Sequence, residues 1–195
     1  YQRRVRGMTF KVILLGDMAV GKTSFVRRYM YNDFVDFHTS TIVTSFVSKQ
    51  FQNFKLDIWD SAGQERFQSL VQLYFRGANA ALVLFSATDF QNSFNRAKFW
   101  ISSVREKITN DIQIILVENK IDSTERETNE EMVLQFADAN GIIYCKASAK
   151  SGEGVQEVFA QVVENAMKLF ETVQPPKPEI IGVVKQQQTQ KSCCK

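Results

Sequence analysis

The sequence predicts an α/β fold, a six-stranded and mostly parallel sheet with one antiparallel edge strand and helices on both faces. Three observations point there. Short apolar runs of buried-strand type, Val12-Ile13-Leu14-Leu15, Leu82 to Phe85, Ile112 to Val117 and Ile142 to Cys145, alternate with segments whose apolar residues keep helical spacing. Two adjacent strand-like segments, Ile42 to Phe51 and Phe54 to Trp59, meet at Gln52-Asn53 and read as a hairpin. The first strand runs into a glycine-bounded loop and then a helix, the order of a phosphate-binding unit.

That loop is Gly16-Asp17-Met18-Ala19-Val20-Gly21-Lys22-Thr23, and Ser24 to Tyr31 follows with Phe25, Val26 and Tyr29 on one helical side. Gly16 and Gly21 let the backbone curl so that successive N–H groups and the helix N-terminus form an anion site. Lys22 adds a point charge and Thr23 a hydroxyl for magnesium. The expected fold is therefore the three-layer P-loop NTPase fold. The helix after the fourth strand carries Phe94, Ala97, Ile101, Val104 and Ile108 for core packing. Thr128 with Glu131 reads as a capping box, and Asn140-Gly141 as a left-handed helix stop. Strands four to six are expected to be buried and parallel, with Cys145 a core thiol. The last helix places Val155, Val158, Phe159, Val162, Val163, Ala166 and Phe170 on one face, which should dock on the sheet.

With 195 residues, 44% apolar and sixteen Phe, the chain can bury one substantial core. Residues 1–8, with Arg3, Arg4 and Arg6, are expected to form a flexible arm, 9–171 the nucleotide-binding domain, and 172–195 a flexible tail rich in Pro, Gln and Lys. The net charge of +3 is too slight to imply nucleic-acid binding. No apolar run has transmembrane length, and no secretory segment is visible. The cysteines, Cys145, Cys193 and Cys194, suit a reducing compartment rather than a disulfide framework.

Ligands of such sheets bind outside the carboxyl ends of the strands. The third strand runs there into Trp59-Asp60-Ser61-Ala62-Gly63-Gln64. Asp60 is placed to partner a magnesium ion held by Thr23, Gly63 to bring its N–H against a terminal phosphate, and Gln64 to hold a water for in-line attack. The plainer alternatives are a solvated strand-end acid and an ordinary loop glutamine. The fifth strand leads to Asn119-Lys120-Ile121-Asp122. A carboxylate at Asp122 can accept from N1–H and the 2-amino group of guanine, a donor pair that adenine lacks. Asn119 would tie the loop, Lys120 would lie along the base, and Ser148-Ala149-Lys150 would offer the Ala149 N–H to the guanine carbonyl.

From Gly16 to Lys150 and through the last helix the chain resembles the Ras-like small GTPases. It is most similar to the Rab branch in Lys55 to Trp59, Arg66 to Leu70 and Tyr74 to Ala78. The resemblance implies a membrane-traffic switch that binds GTP and GDP with Mg2+, signals in the GTP form and hydrolyses GTP. Its implied catalytic set is Gln64, Lys22, Thr41 and Gly63. Thr41 matches the threonine that binds magnesium and contacts the γ-phosphate, and Phe34 the aromatic that flanks guanine. Both Thr41 and Gly63 touch a group that hydrolysis removes, so their loops lose a tether when phosphate leaves. Implied partners are an exchange factor, an activating protein, a GDP dissociation inhibitor, the prenylation machinery and trafficking effectors, with the chain itself a monomer. Phe46, Trp59 and Tyr74 match an effector-presenting aromatic trio, and shared core packing is an equal and compatible reading.

Three departures from the family pattern stand out. After Thr41 the chain reads Ile42-Val43-Thr44-Ser45-Phe46, where Rabs usually carry Gly and Asp before the Phe, so the effector surface is altered. His38 replaces a tyrosine common in relatives and reads as a solvent-exposed loop residue. Met18 occupies a position usually held by a small residue, where bulk crowds Gln64 or an inserted arginine and should slow hydrolysis. A slowly hydrolysing, nucleotide-loaded interaction module therefore stands as the alternative to a timing switch, and a phosphoryl-transferring kinase as a distant third. Ser192-Cys193-Cys194-Lys195 resembles the Rab ends that receive two geranylgeranyl groups. Two lipids give stable anchoring, so the expected location is the cytoplasmic face of an intracellular membrane, in exchange with the cytosol.

Overall fold

The computed structural model describes residues 8–36, 45–61, 63, 68–108 and 111–172. Thr41, Gln64, His38, Val43, Cys193 and Cys194, and with them residues 1–7 of the arm and 173–195 of the tail, lie outside the described residues, while Met8 of the expected arm belongs to β1. The elements are β1 (Met8–Gly16), α1 (Lys22–Tyr31), β2 (Ser45–Gln50), β3 (Phe54–Asp60), α2 (Gln68–Leu73), β4 (Ala80–Ser86), α3 (Phe90–Lys107), β5 (Gln113–Asn119), α4 (Glu130–Ala139), β6 (Ile143–Lys146) and α5 (Val155–Thr172). Among the described residues they form a six-stranded sheet in the order β2-β3-β1-β4-β5-β6. Only the β2–β3 pairing is antiparallel. The hairpin turn at Gln52-Asn53 is closed by Phe51 N–H donating to the Phe54 carbonyl at 2.9 Å.

Strand alternation divides the core in two. Phe10, Val12 and Leu14 of β1 pack with Phe25, Val26 and Tyr29 of α1 and with Val155, Val158, Phe159, Val162 and Ala166 of α5. Ile13 and Leu15 face the other way, against Phe94, Ala97, Trp100, Ile101 and Val104 of α3 and Val133 of α4. β4 lies mid-sheet and is buried along its whole length, as a strand covered on both faces must be. Val163 and Phe170 complete the α5 face at its half-buried margin.

Three expectations are corrected. β6 is an edge strand with Ile143 exposed, because β5 pairs it on one side and, among the described residues, no further strand follows on the other. Cys145 on it is consequently half-buried at the margin of the core, and burial raises its thiol pKa. The capping box does not form. Asn129 caps α4 by accepting from Met132 N–H at 3.1 Å, while the Thr128 hydroxyl donates to Glu118 instead. Gly141, at φ +56°, supplies the left-handed stop, with Asn140 on the ordinary side of the map.

Candidate functional site

The carboxyl ends of the parallel strands open into a cavity of about 720 Å³, lined by the loop after β1, by Phe34, Ser61 and Gly63, and by the loops after β5 and β6. Its first wall is a backbone structure. Gly16 adopts φ +141° and Gly21 φ +94°; a Cβ at Gly16 would lie 2.3 Å from the Leu84 carbonyl, and one at Gly21 2.4 Å from Asn119 Nδ2. Only glycine meets both demands. Gly21 caps α1 without a side-chain hydrogen bond, and no acid stands in the first turn, so the positive end of the helix faces the cavity. Asp17 Oδ1 accepts from Met18 N–H at 2.7 Å, and Ala19 takes a left-handed φ of 58°. Val20 is buried, and Met18 lines the cavity with half its surface exposed.

Lys22 is buried inside this curl, donating from Nζ to the carbonyls of Gly16 at 3.1 Å and Asp17 at 2.6 Å. Desolvation lowers its pKa to about 8, against the opposing pull of the Asp60 and Asp17 charges. A desolvated ammonium with oxygen neighbours on one side is primed for an anion on the other. Gly63 closes over it; a Cβ there would lie 2.5 Å from both Lys22 Nζ and the Asp17 carbonyl. Beside it the Thr23 hydroxyl donates to Asp60 Oδ2 at 2.6 Å, with Ser45 Oγ at 3.4 Å from the same oxygen. Ser24 is buried behind the loop and also lines the cavity.

At the opposite end, long-range side-chain bonds hold the walls. Asn119 is buried and donates from Nδ2 to the Val20 carbonyl at 2.8 Å, while its Oδ1 accepts Ala149 N–H at 3.0 Å. The Ala149 N–H, expected to point at a base, is thus engaged by Asn119 in this structure. Ser148 donates to Asp122 Oδ1 at 2.5 Å and aims that carboxylate. Lys120, at φ 66°, has its pKa lowered by burial, opposed by Asp89 and Asp122. Phe34 and Lys120 line the cavity together, as do Ala149 and Lys150.

Sequence reasoning missed Arg28, which reaches from α1 to the Ala149 carbonyl at 2.9 Å and the Lys150 carbonyl at 2.6 Å. No local pattern marks such a contact. It also missed Ser61, whose hydroxyl donates to the Leu14 carbonyl at 2.5 Å, and Glu118. Glu118 did carry a signal, an acid continuing the apolar run Ile114 to Val117, since a charge so placed must be paired.

A family model described as the Ras family matches residues 11–168. The chain belongs to the Ras family. It is 37% identical over 174 residues to Ras-related protein Rab-21 of Mus musculus, covering 87% of this chain and 77% of that protein. It is 38% identical over 168 residues to GTP-binding protein YPT53 of Saccharomyces cerevisiae, covering 80% and 76%. It is 33% identical over 194 residues to Ras-related protein RABF2b of Arabidopsis thaliana, covering 97% and 96%. This Ras-family chain is a Rab-like small GTPase, an enzyme that hydrolyses GTP, of the class that acts in vesicle trafficking. Ras-family GTPases in general bind GTP and GDP with Mg2+, and Rabs in general work with exchange factors, activating proteins, GDP dissociation inhibitors and effectors. No helix among the described residues is long and apolar enough to cross a membrane.

Proposed function

We propose that the cavity holds GTP or GDP with its phosphates on Gly16 to Ser24 and its base between Phe34 and Lys120, against Asn119, Asp122 and the Ser148 to Lys150 loop. The observation that carries this reading is the joining of the two ends by one residue, Asn119, bonded at once to Val20 and Ala149. Asp122, held by Ser148, accepts from the guanine edge, and adenine, which lacks that donor pair, leaves the carboxylate mismatched.

Thr23 and Asp60, with Thr41, would hold Mg2+. Hydroxyl and carboxylate oxygens fit that hard cation, and no group of three or more His, Cys, Asp or Glu side chains gathers among the described residues. Such a site leaves coordination positions for phosphate oxygens and water, as magnesium prefers. When bound, the ion neutralises charge on the phosphates. Lys22 keeps the γ-phosphate in place and stabilises charge as the bond to it breaks, the Gly63 N–H contacts the same group, and Gln64 orients the attacking water. Hydrolysis removes what Thr41 and Gly63 touch, so the two loops change state together.

We place the domain at 9–171, to which β1 and α5 add Met8 and Thr172, with the arm before it and the tail behind. Geranylgeranyl groups on Cys193 and Cys194 would anchor the GTP form to the cytoplasmic face of an intracellular membrane, and a dissociation inhibitor would return the GDP form to the cytosol. Effectors would read the patch of Phe46, Trp59 and Tyr74. Its ring centroids are 5.1 Å and 5.2 Å apart, and Phe46 is 47% exposed, so the trio forms a surface rather than core packing alone.

The test is the nucleotide that co-purifies and the response of Asp122→Asn. Guanine nucleotide is expected in the wild type, and the variant should lose at least about 100-fold in GDP affinity while gaining xanthosine diphosphate, whose ring presents an acceptor where guanine has its amino group. Co-purified ATP, or an unchanged preference in Asp122→Asn, overturns the assignment.

A further inference from the structure

Glu118 lies at the far end of β5, in register with Phe85 on β4 and Lys146 on β6. It is fully buried. Its neighbour Asn119 turns toward the cavity, and strand alternation sends Glu118 to the opposite face of the sheet, where Tyr144 packs at the edge of the α3–α4 core. Three donors converge on its carboxylate. Arg126 Nη2 approaches Oε1 at 2.9 Å, Thr128 Oγ1 donates to the same oxygen at 2.7 Å, and the Tyr144 hydroxyl donates to Oε2. The backbone joins the same junction, with Ala147 N–H donating to the Glu118 carbonyl at 2.8 Å.

Those partners belong to the loop after β5 and to the strand that leads into the other base-facing loop. Arg126 and Thr128 close the far end of the segment that begins with Lys120 and Asp122. Tyr144 sits on the strand that delivers Ser148 and Ala149. Because all three groups donate, the position needs a side chain that only accepts, and a carboxylate does so where a glutamine would turn one donor toward another. Burial and the Glu118 charge raise the Tyr144 pKa, so that hydroxyl remains a donor.

We propose that Glu118 is a positioning residue for guanine recognition: its buried carboxylate clamps the Lys120–Thr128 loop to β6, the strand that delivers Ser148 and Ala149, and thereby sets the rate at which nucleotide leaves and the selection of the base. The proposal rests on the guanine reading above. It assigns Glu118 no contact with nucleotide, and it leaves the phosphate wall, built from Gly16 to Thr23, independent of it.

The test uses the full chain as wild type, Glu118→Gln, Tyr144→Phe and Thr128→Val, with GDP, inosine diphosphate and pyrophosphate as probes. Inosine diphosphate lacks the 2-amino group that Asp122 reads. Loss of a hydrogen bond to a charged group predicts GDP dissociation about tenfold faster in Glu118→Gln and about threefold faster in Tyr144→Phe and Thr128→Val. The preference for GDP over inosine diphosphate should fall in step, with pyrophosphate affinity unchanged. If Glu118→Gln does not fold, the two single-donor variants carry the same comparison. Wild-type dissociation rates in the variants overturn the proposal, as does a parallel loss of GDP, inosine diphosphate and pyrophosphate binding, which marks general destabilisation. A wild-type protein that binds pyrophosphate but neither GDP nor inosine diphosphate sinks the guanine reading together with the clamp.

Discussion

At one end of the cavity the continuous segment Gly16 to Thr23 wraps Lys22 in its own carbonyls, while at the other end three separate segments are held by side chains from distant parts of the chain. Asn119 bonds Val20 across 99 positions, and Arg28 bonds Ala149 across 121. The phosphate wall is a local structure, specified by glycines at positive φ and by the start of a helix. The base wall is a tertiary structure whose loops take their shape from buried polar bonds. The two should therefore fail differently, one through its backbone and the other through side-chain bonds between distant segments.

Asn119→Ala should produce the largest loss, because it strips partners from both walls at once. Each buried group left unsatisfied costs about 1–3 kcal/mol, and two are left, so GDP affinity should drop at least about 30-fold in an equilibrium titration. Retention within tenfold would break the idea that one side chain couples the two ends. Arg28→Ala comes next. Removing its bonds to the Ala149 and Lys150 carbonyls should speed GDP release by about three- to tenfold, with pyrophosphate affinity unaltered. Since Arg28 stands on the helix that continues the phosphate loop, a matching loss of pyrophosphate binding would show that α1 serves both walls equally. The smallest effect belongs to Met18→Ser. Met18 lines the cavity and is 51% exposed, so removing its bulk should raise single-turnover GTP hydrolysis a few-fold without altering GDP affinity. Equal rates would remove Met18 as a brake and leave the case for a slow interaction module resting on the altered segment after Thr41.

The difference between the walls also explains what was legible in the residues. Strand and helix periodicity gave the β–α order and the single antiparallel pairing, because each apolar run was long enough to declare its burial. Gly16 to Thr23 was readable because its geometry is local. The edge position of β6 was not, since Ile142 to Cys145 is as apolar as a central strand and only the order of the sheet exposes it. Thr128 showed the limits of a local pattern. A threonine three residues before a glutamate suits a capping box, but a buried carboxylate nearby competes for its hydroxyl and wins, leaving Asn129 to cap the helix. Ala149 meets the same competition, its N–H engaged by the Asn119 side chain at the end of β5.

By itself the sequence determined the phosphate loop, the order of strands and helices, the residues that meet at the strand ends and the family resemblance. These depend on spacing and residue type over a few turns of chain. Only the tertiary structure decided which polar groups face each other inside the base wall: Asn119 between Val20 and Ala149, Ser148 on Asp122, Arg28 under the β6 loop, and Glu118 among its three donors. The physical reason is that a buried polar group must find a partner wherever the fold brings one within reach. That reach spans chain separations over which residue spacing carries no information.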